Sequence, residues 1–242
     1  MMLLMKESPA EKKNHQLRRT IKSVRALSRL LKSLGAKGAG RVNKNLGAIG
    51  AKLSEERDST VRNAWLAKNG FPELMESAPK PTRLIPLRRQ VAKEEMRLRR
   101  QAARLKISAP QIERAIKHSA KKVKTARKAA KETKQDEDFH RLRKRVRDLS
   151  EQLKLLRIEP PAGLRRAIKQ LGRAQDTSVV HASLRKVPGA RMARKQAKKE
   201  GRARRLSALE ESVRIEAIPS SGLGAMLRKR ILSPETSSLP RI

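Results

Sequence analysis

The chain has to build a core almost without rings: among its 242 residues are two phenylalanines, one tryptophan and no tyrosine. Trp65, Phe71 and Phe139 cannot fill a core of this size, so Leu, Ile, Val, Ala and Met must, and a hydrophobic content of 37% is enough. Aliphatic side chains at helical spacing suit such a core better than strands, which favour β-branched and aromatic residues. The length permits one large domain or two small ones.

Turn-forming residues cut the sequence into helix-sized pieces. Breaks are expected at Gly35 to Gly40, Phe71 to Pro81, Ser108 to Pro110, Pro160 to Gly163, Pro188-Gly189 and Pro219 to Gly224. The segments between them predict an all-α protein with seven or eight helices and no strand. Ser108 before Pro110 reads as a helix start, because a proline in the first turn forfeits no hydrogen bond. The acidic run Asp136, Glu137 and Asp138 sits where a helix N-terminus favours negative charge. After Pro219 a short helix-like AMLRKRIL and a Ser/Pro-rich end predict a C-terminal helix and a flexible tail over 213–242.

Charge restricts function. With 61 Lys and Arg against 23 Asp and Glu, the formal charge is +38, and such a chain repels itself unless anions neutralise it. The partner is therefore anionic; nucleic acid, an acidic membrane surface and polyphosphate all satisfy the charge. The absence of cysteine excludes disulfides, thiolate metal sites and thiol catalysis. The opening MMLLM is too short before Lys6 for a signal-peptide core or a membrane span, so a cytoplasmic protein is expected.

An internal duplication organises the chain. HQLRRTIKSVRALSRLLK from His15 aligns with HRLRKRVRDLSEQLKLLR from His140, and LSEERDSTVRNAWLAK from Leu53 aligns with LGRAQDTSVVHASLRK from Leu171. The offset falls from 125 to 118 between the two pairs. Seven residues is about two helical turns, so the second copy loses length without rotating its apolar face. Similarity between any two basic amphipathic helices is the plainer explanation, but composition does not account for the matched His and Asp.

At about 100° per residue, His15, Arg18, Lys22, Arg25 and Arg29 fall within roughly 80° of one another. Leu17, Ile21, Val24, Leu27 and Leu31 take the opposite side. In the second copy His140, Arg143, Arg147 and Lys154 oppose Leu142, Val146, Leu149, Leu153 and Leu156. A basic stripe is ordinarily the solvated side of a helix. Here residues 12–32 hold eight Lys or Arg and no acid, so the usual i,i+4 pairing is missing. A chain of phosphates lying on such a rail would accept charge-assisted hydrogen bonds from it. A histidine at its head donates a hydrogen bond when neutral and adds charge when protonated.

A His-x-x-Arg helix with further basic residues at helical spacing, then a helix bearing Leu-x-x-x-x-Asp, all duplicated, resembles the CHAD domain, the conserved histidine α-helical domain. The matching residues are His15, Arg18, Lys22, Arg25, Leu53, Arg57 and Asp58, then His140, Arg143, Arg147, Leu171, Gly172 and Asp176. The resemblance implies two antiparallel helical bundles related by pseudo-twofold symmetry, spanning residues 9–212 with a first repeat over about 9–131 and a second over about 132–212. It also implies that the basic helices line a groove or pore for inorganic polyphosphate, with His15, Arg18, Arg19, Lys22, Arg25, Arg29, His140, Arg143, Lys144, Arg147 and Lys154 as its residues. Members are often associated with CYTH triphosphate-hydrolysing domains or polyphosphate granules; no acidic metal-binding array of the CYTH kind is visible here. This chain resembles the binding module alone, without cofactor or metal. It departs from the pattern where Arg25 is matched by Ser150, and where Lys22-Ser23 replaces a basic pair; Lys144 and Lys154 could rebuild the second rail.

Asp58 and Asp176 are placed to orient a rail histidine or arginine by accepting its N–H, or else form local ion pairs, as with the adjacent Arg57. Two further basic tracts, Lys121 to Lys131 and Arg185 to Arg205, either flank the groove or widen its electrostatic field, and their thin apolar stripes favour the second reading. No phosphate-binding glycine loop, GxSxG or HExxH is present, so no catalytic residue is assigned and the protein is expected not to be an enzyme. The alternative function is non-specific nucleic-acid binding, since pI 11.7 suits it. Against that reading, the aromatic platforms on which single-stranded bases stack are scarce.

Overall fold

The computed structural model describes residues 9–77 and 79–213. The opening MMLLM, the break at Pro219 to Gly224 and the C-terminal helix and tail lie outside them. Within the described residues are eight α-helices, two short 3-10 turns and no strand. The helices are α1 Pro9–Ser33, α2 Ala39–Lys52, α3 Ser54–Lys68, α4 Leu84–Ala103, α5 Ala109–Thr133, α6 Asp136–Leu155, α7 Ala162–Ser183 and α8 Arg191–Val213. No described helix is long and apolar enough to cross a membrane.

Local chemistry accounts for most of the ends. Gly38 precedes α2 with φ +86°, a left-handed conformation that costs glycine little. The expected start of α5 at Ser108 is closed by a capping box, in which Gln111 Oε1 accepts the backbone N–H of Ser108 at 2.8 Å. The acidic run opens α6 as expected, and Asp138 is buried there, bonded by Thr133 Oγ1 at 2.7 Å and Arg141 Nη1 at 2.9 Å. One end carries no sequence signal: the chain turns at Leu53, between α2 and α3, without a glycine or proline.

The chain forms two compact units. The first takes the chain through Arg57 and again over Pro79–Lys106, and in it α1, α2 and α4 pack on one another. Its apolar face is the expected one: Leu17, Ile21, Val24, Leu27 and Leu31 are all buried, with Leu46, Ile49, Leu53, Val91 and Leu98. At about 1.5–3 kcal/mol for each such side chain, this burial is what holds short helices together. A buried carboxylate, Glu94, accepts from Asn45 Nδ2 at 2.9 Å and Arg97 Nη1 at 2.8 Å.

The second unit takes α3 from Asp58 onward and the chain from Ile107, and in it α5 packs on α6, α6 on α7, and α7 on α8. The expected face of α6 is again buried at Leu142, Val146, Leu149 and Leu153, whereas Leu156, just past the helix end, is only half-buried. Trp65 and Leu66 of α3 join Val180, Leu184, Ala190, Ala193 and Ala197 in one cluster. The Trp65 indole N–H reaches Glu200 Oε2 at 2.9 Å, and its ring stacks on Phe71 with centroids 6.3 Å apart. Scarce as they are, two of the three aromatics are thus spent side by side. Gly201 lets α8 approach α7: a Cβ there would stand 2.7 Å from Thr177 Oγ1.

Candidate anion-binding site

Along α1 two of the basic side chains, Arg18 and Arg25, are tethered to neighbouring groups. Arg18 is half-exposed, and its Nη1 donates to the carbonyl oxygen of Leu53. That carbonyl stands at the junction of α2 and α3, so Arg18 is held at the helix break missing from the sequence pattern. Arg25 Nε donates to Asn43 Oδ1 of α2 at 3.1 Å. Its guanidinium lies over Gly47, where an added Cβ would be 3.5 Å from its Nη2. Lys22 and Arg29 are also half-exposed and engaged in interactions of their own. His15 and Arg19 are exposed. Cations whose stems are already held lose less side-chain freedom when an anion arrives.

Along α6 the rail is shorter. His140, Arg143 and Arg147 are half-exposed and Lys144 is exposed. Ser150, aligned with Arg25, is 2% exposed and faces the core. Lys154 lies 3.0 Å from Glu151 Oε1, so its charge is partly balanced by an acid that the first rail lacks.

A recess open to solvent, about 230 Å³, lies at the head of α6 and is lined by Asp136, Phe139, His140, Arg143, Leu171, Ala174, Gln175, Ser178 and Arg205. His140 Nδ1 is 2.6 Å from Gln175 Oε1. An amide oxygen only accepts, so Nδ1 carries the proton and Nε2 is left as acceptor in the neutral ring. Burial holds the His140 imidazole below its ordinary pKa; Lys144 and Arg143 push the same way, and the Gln175 bond and Glu137 oppose them.

The partner of His140 is thus Gln175, next in sequence to the Asp176 singled out above. Asp176, Asp58 and Arg57 are half-buried, and each makes interactions of its own. Sequence reasoning also missed Arg205 and Asp136. Arg205 lies in the tract read as widening the field, yet its side chain is 13% exposed, pairs with Asp136 and holds its guanidinium 5.7 Å over the Phe139 ring. The available signals were the alignment of Gln175 with Arg57 and the helical register of α8, neither of which says which helix lies alongside.

Among the described residues no group of three or more His, Cys, Asp or Glu could hold a metal ion. The recess instead brings the Arg143 and Arg205 side chains beside His140, with Asp136 also in its lining. The CHAD domain matches this chain over residues 4–185, which takes in α1 through α7. The chain belongs to the CHAD domain family, which is generally non-catalytic. No catalytic domain is identified in it, and comparisons with curated proteins and with solved structures give no match.

Proposed function

We propose that this protein binds inorganic polyphosphate without catalysis, along the basic faces of α1 and α6. The observation that carries the reading is the tethering of Arg18 and Arg25 on a stretch of eight basic residues with no acid. Fixed guanidinium groups at helical spacing match a polymer that presents an anionic oxygen cluster at every repeat. In this reading α1 and α6 are equivalent members of a duplicated bundle. The binding domain runs over residues 9–212, with repeats of about 9–131 and 132–212, and works in the cytoplasm, at polyphosphate granules.

A second reading, non-specific nucleic-acid binding, draws on Arg88, Arg89, Lys93 and Arg100, which are exposed on α4 and belong to neither rail. Long-chain polyphosphate and duplex DNA titrated in parallel across a salt series separate the two. The native protein is compared with a variant in which Arg18, Lys22, Arg143 and Arg147 are changed to alanine, its helix content first checked by circular dichroism. Polyphosphate binding that survives the salt that releases DNA, and that the variant selectively loses, supports the rails. Equal binding of both ligands, only slightly weakened in the variant, replaces this reading with diffuse polyanion binding.

A further inference from the structure

The family match ends at residue 185, and α8 begins at Arg191. One arginine of α8 nevertheless enters the recess beside His140. Arg205 is set there by three contacts: its Nε donates to the Gly201 carbonyl at 3.1 Å, its guanidinium carbon stands over the Phe139 ring, and a terminal nitrogen pairs with Asp136.

The two sides of the Arg205–Asp136 pair are unequal. Arg205 is 13% exposed, and burial lowers its guanidinium from the ordinary arginine pKa, although it stays charged at neutral pH. Asp136 is 68% exposed and stands in the first turn of α6. Its carboxylate can therefore swing into water at little cost, and the helix N-terminus still favours its charge once Arg205 has let go. An arginine that is mostly covered, lines the same open recess as Arg143 and His140, and is paired with a readily hydrated carboxylate is arranged for anion exchange.

We infer that Arg205 is an additional phosphate ligand supplied by α8, and that Asp136 holds its place in the free protein as an internal competitor displaced by polyphosphate. The inference rests on the polyphosphate reading above. Asp136 gives Arg205 its counter-charge in the free protein, and the incoming phosphate takes over that role with more oxygens and more charge.

The test is titration of the full chain with long-chain polyphosphate across a salt series, for the native protein and the variants Asp136→Asn, Arg205→Ala, their double and Glu137→Gln. Glu137→Gln makes the same charge change one residue away and measures the diffuse field. Asp136→Asn should tighten binding about threefold or more, beyond Glu137→Gln. Arg205→Ala should weaken it about tenfold and lower the slope of log affinity against log salt by about one, as loss of a phosphate contact does. In the double variant the gain from Asp136→Asn should vanish.

A slope unchanged in Arg205→Ala, or equal effects of Asp136→Asn and Glu137→Gln, overturns the inference and leaves the pair as a structural tie between α6 and α8. Asp136→Asn decides the matter even if Arg205→Ala lowers the thermal midpoint. A native protein that does not bind polyphosphate at all removes the polyphosphate reading itself, a result distinct from either of these.

Discussion

The helix headed by His15 and the helix headed by His140 share a pattern but are set in different surroundings. On α1 the arginines are drawn against α2: Arg18 caps the carbonyl at the α2–α3 break, and Arg25 lies over Gly47, held by Asn43. On α6 the matching neighbour is one unbroken helix, Ala162–Ser183, and the residue aligned with Leu53 is Leu171 in its middle. No break falls there. Arg143, aligned with Arg18, lines an open recess instead, with His140, Gln175 and Arg205 around it. The same residue pattern thus gives a long rail of pinned cations in one place and a compact recess in the other. The difference lies in whether the following helix breaks.

The largest expected effects test how far the two stretches are equivalent in packing. Leu53 and Leu171, at aligned positions, are 0% and 2% exposed. Either one changed to alanine should cost roughly 2–5 kcal/mol in denaturant unfolding. A loss under about 1 kcal/mol at one site alone breaks the correspondence.

Ser150→Arg restores to the second rail the arginine of the first. Because Ser150 is buried, the change should not strengthen binding but destabilise the unit by roughly 3 kcal/mol or more, since it forces a charge into the core. A stable Ser150→Arg protein with tighter polyphosphate binding would show instead that α6 presents this position to the ligand.

Pinning itself is tested by Asn43→Ala, which releases Arg25 without removing its charge. Polyphosphate affinity should fall about threefold, a loss of about 0.7 kcal/mol, with the salt slope unchanged. Arg25→Ala should lower both affinity and slope, the slope by about one. Identical behaviour of the two variants would mean that only the charge of Arg25 matters.

The smallest effect concerns pH. His140 is held below 6.5, chiefly by burial and further by Lys144 and Arg143, against the opposing Gln175 and Glu137. The unfolded chain then takes up the proton first as pH falls, so the native state loses stability from about 6.5 downward and gains nothing from this group above it. His140→Gln should flatten that slope in urea unfolding. An anion bound beside Arg143 and Arg205 stabilises the imidazolium, so polyphosphate affinity should rise as pH falls through the same range. Gln175→Arg, which copies the aligned Arg57, removes the acceptor and adds a cation. It should lower the His140 pKa further in an NMR titration; a rise would mean that Gln175 does not set it.

Periodicity and punctuation in the sequence were sufficient for the helices. Nearly every break within the described residues falls where glycine, proline or a capping serine stands, and both apolar stripes face a core, because these signals act within a turn or two of helix. The break at Leu53 was not legible. No local residue demands it, and the Arg18 bond that occupies its carbonyl comes from 35 residues away. The rails and their histidines could be read from spacing for the same local reason.

What only the tertiary structure decided is which rail residues have company. Gln175 reaches His140 across 35 positions, and Arg205 reaches the start of α6 from a helix beyond the family match. A stripe on one helix records its own periodicity but carries no address for its neighbour. The sequence determined helices, faces and a large excess of positive charge. Packing of α6, α7 and α8 determined that one mostly covered arginine and one exposed carboxylate meet beside a histidine.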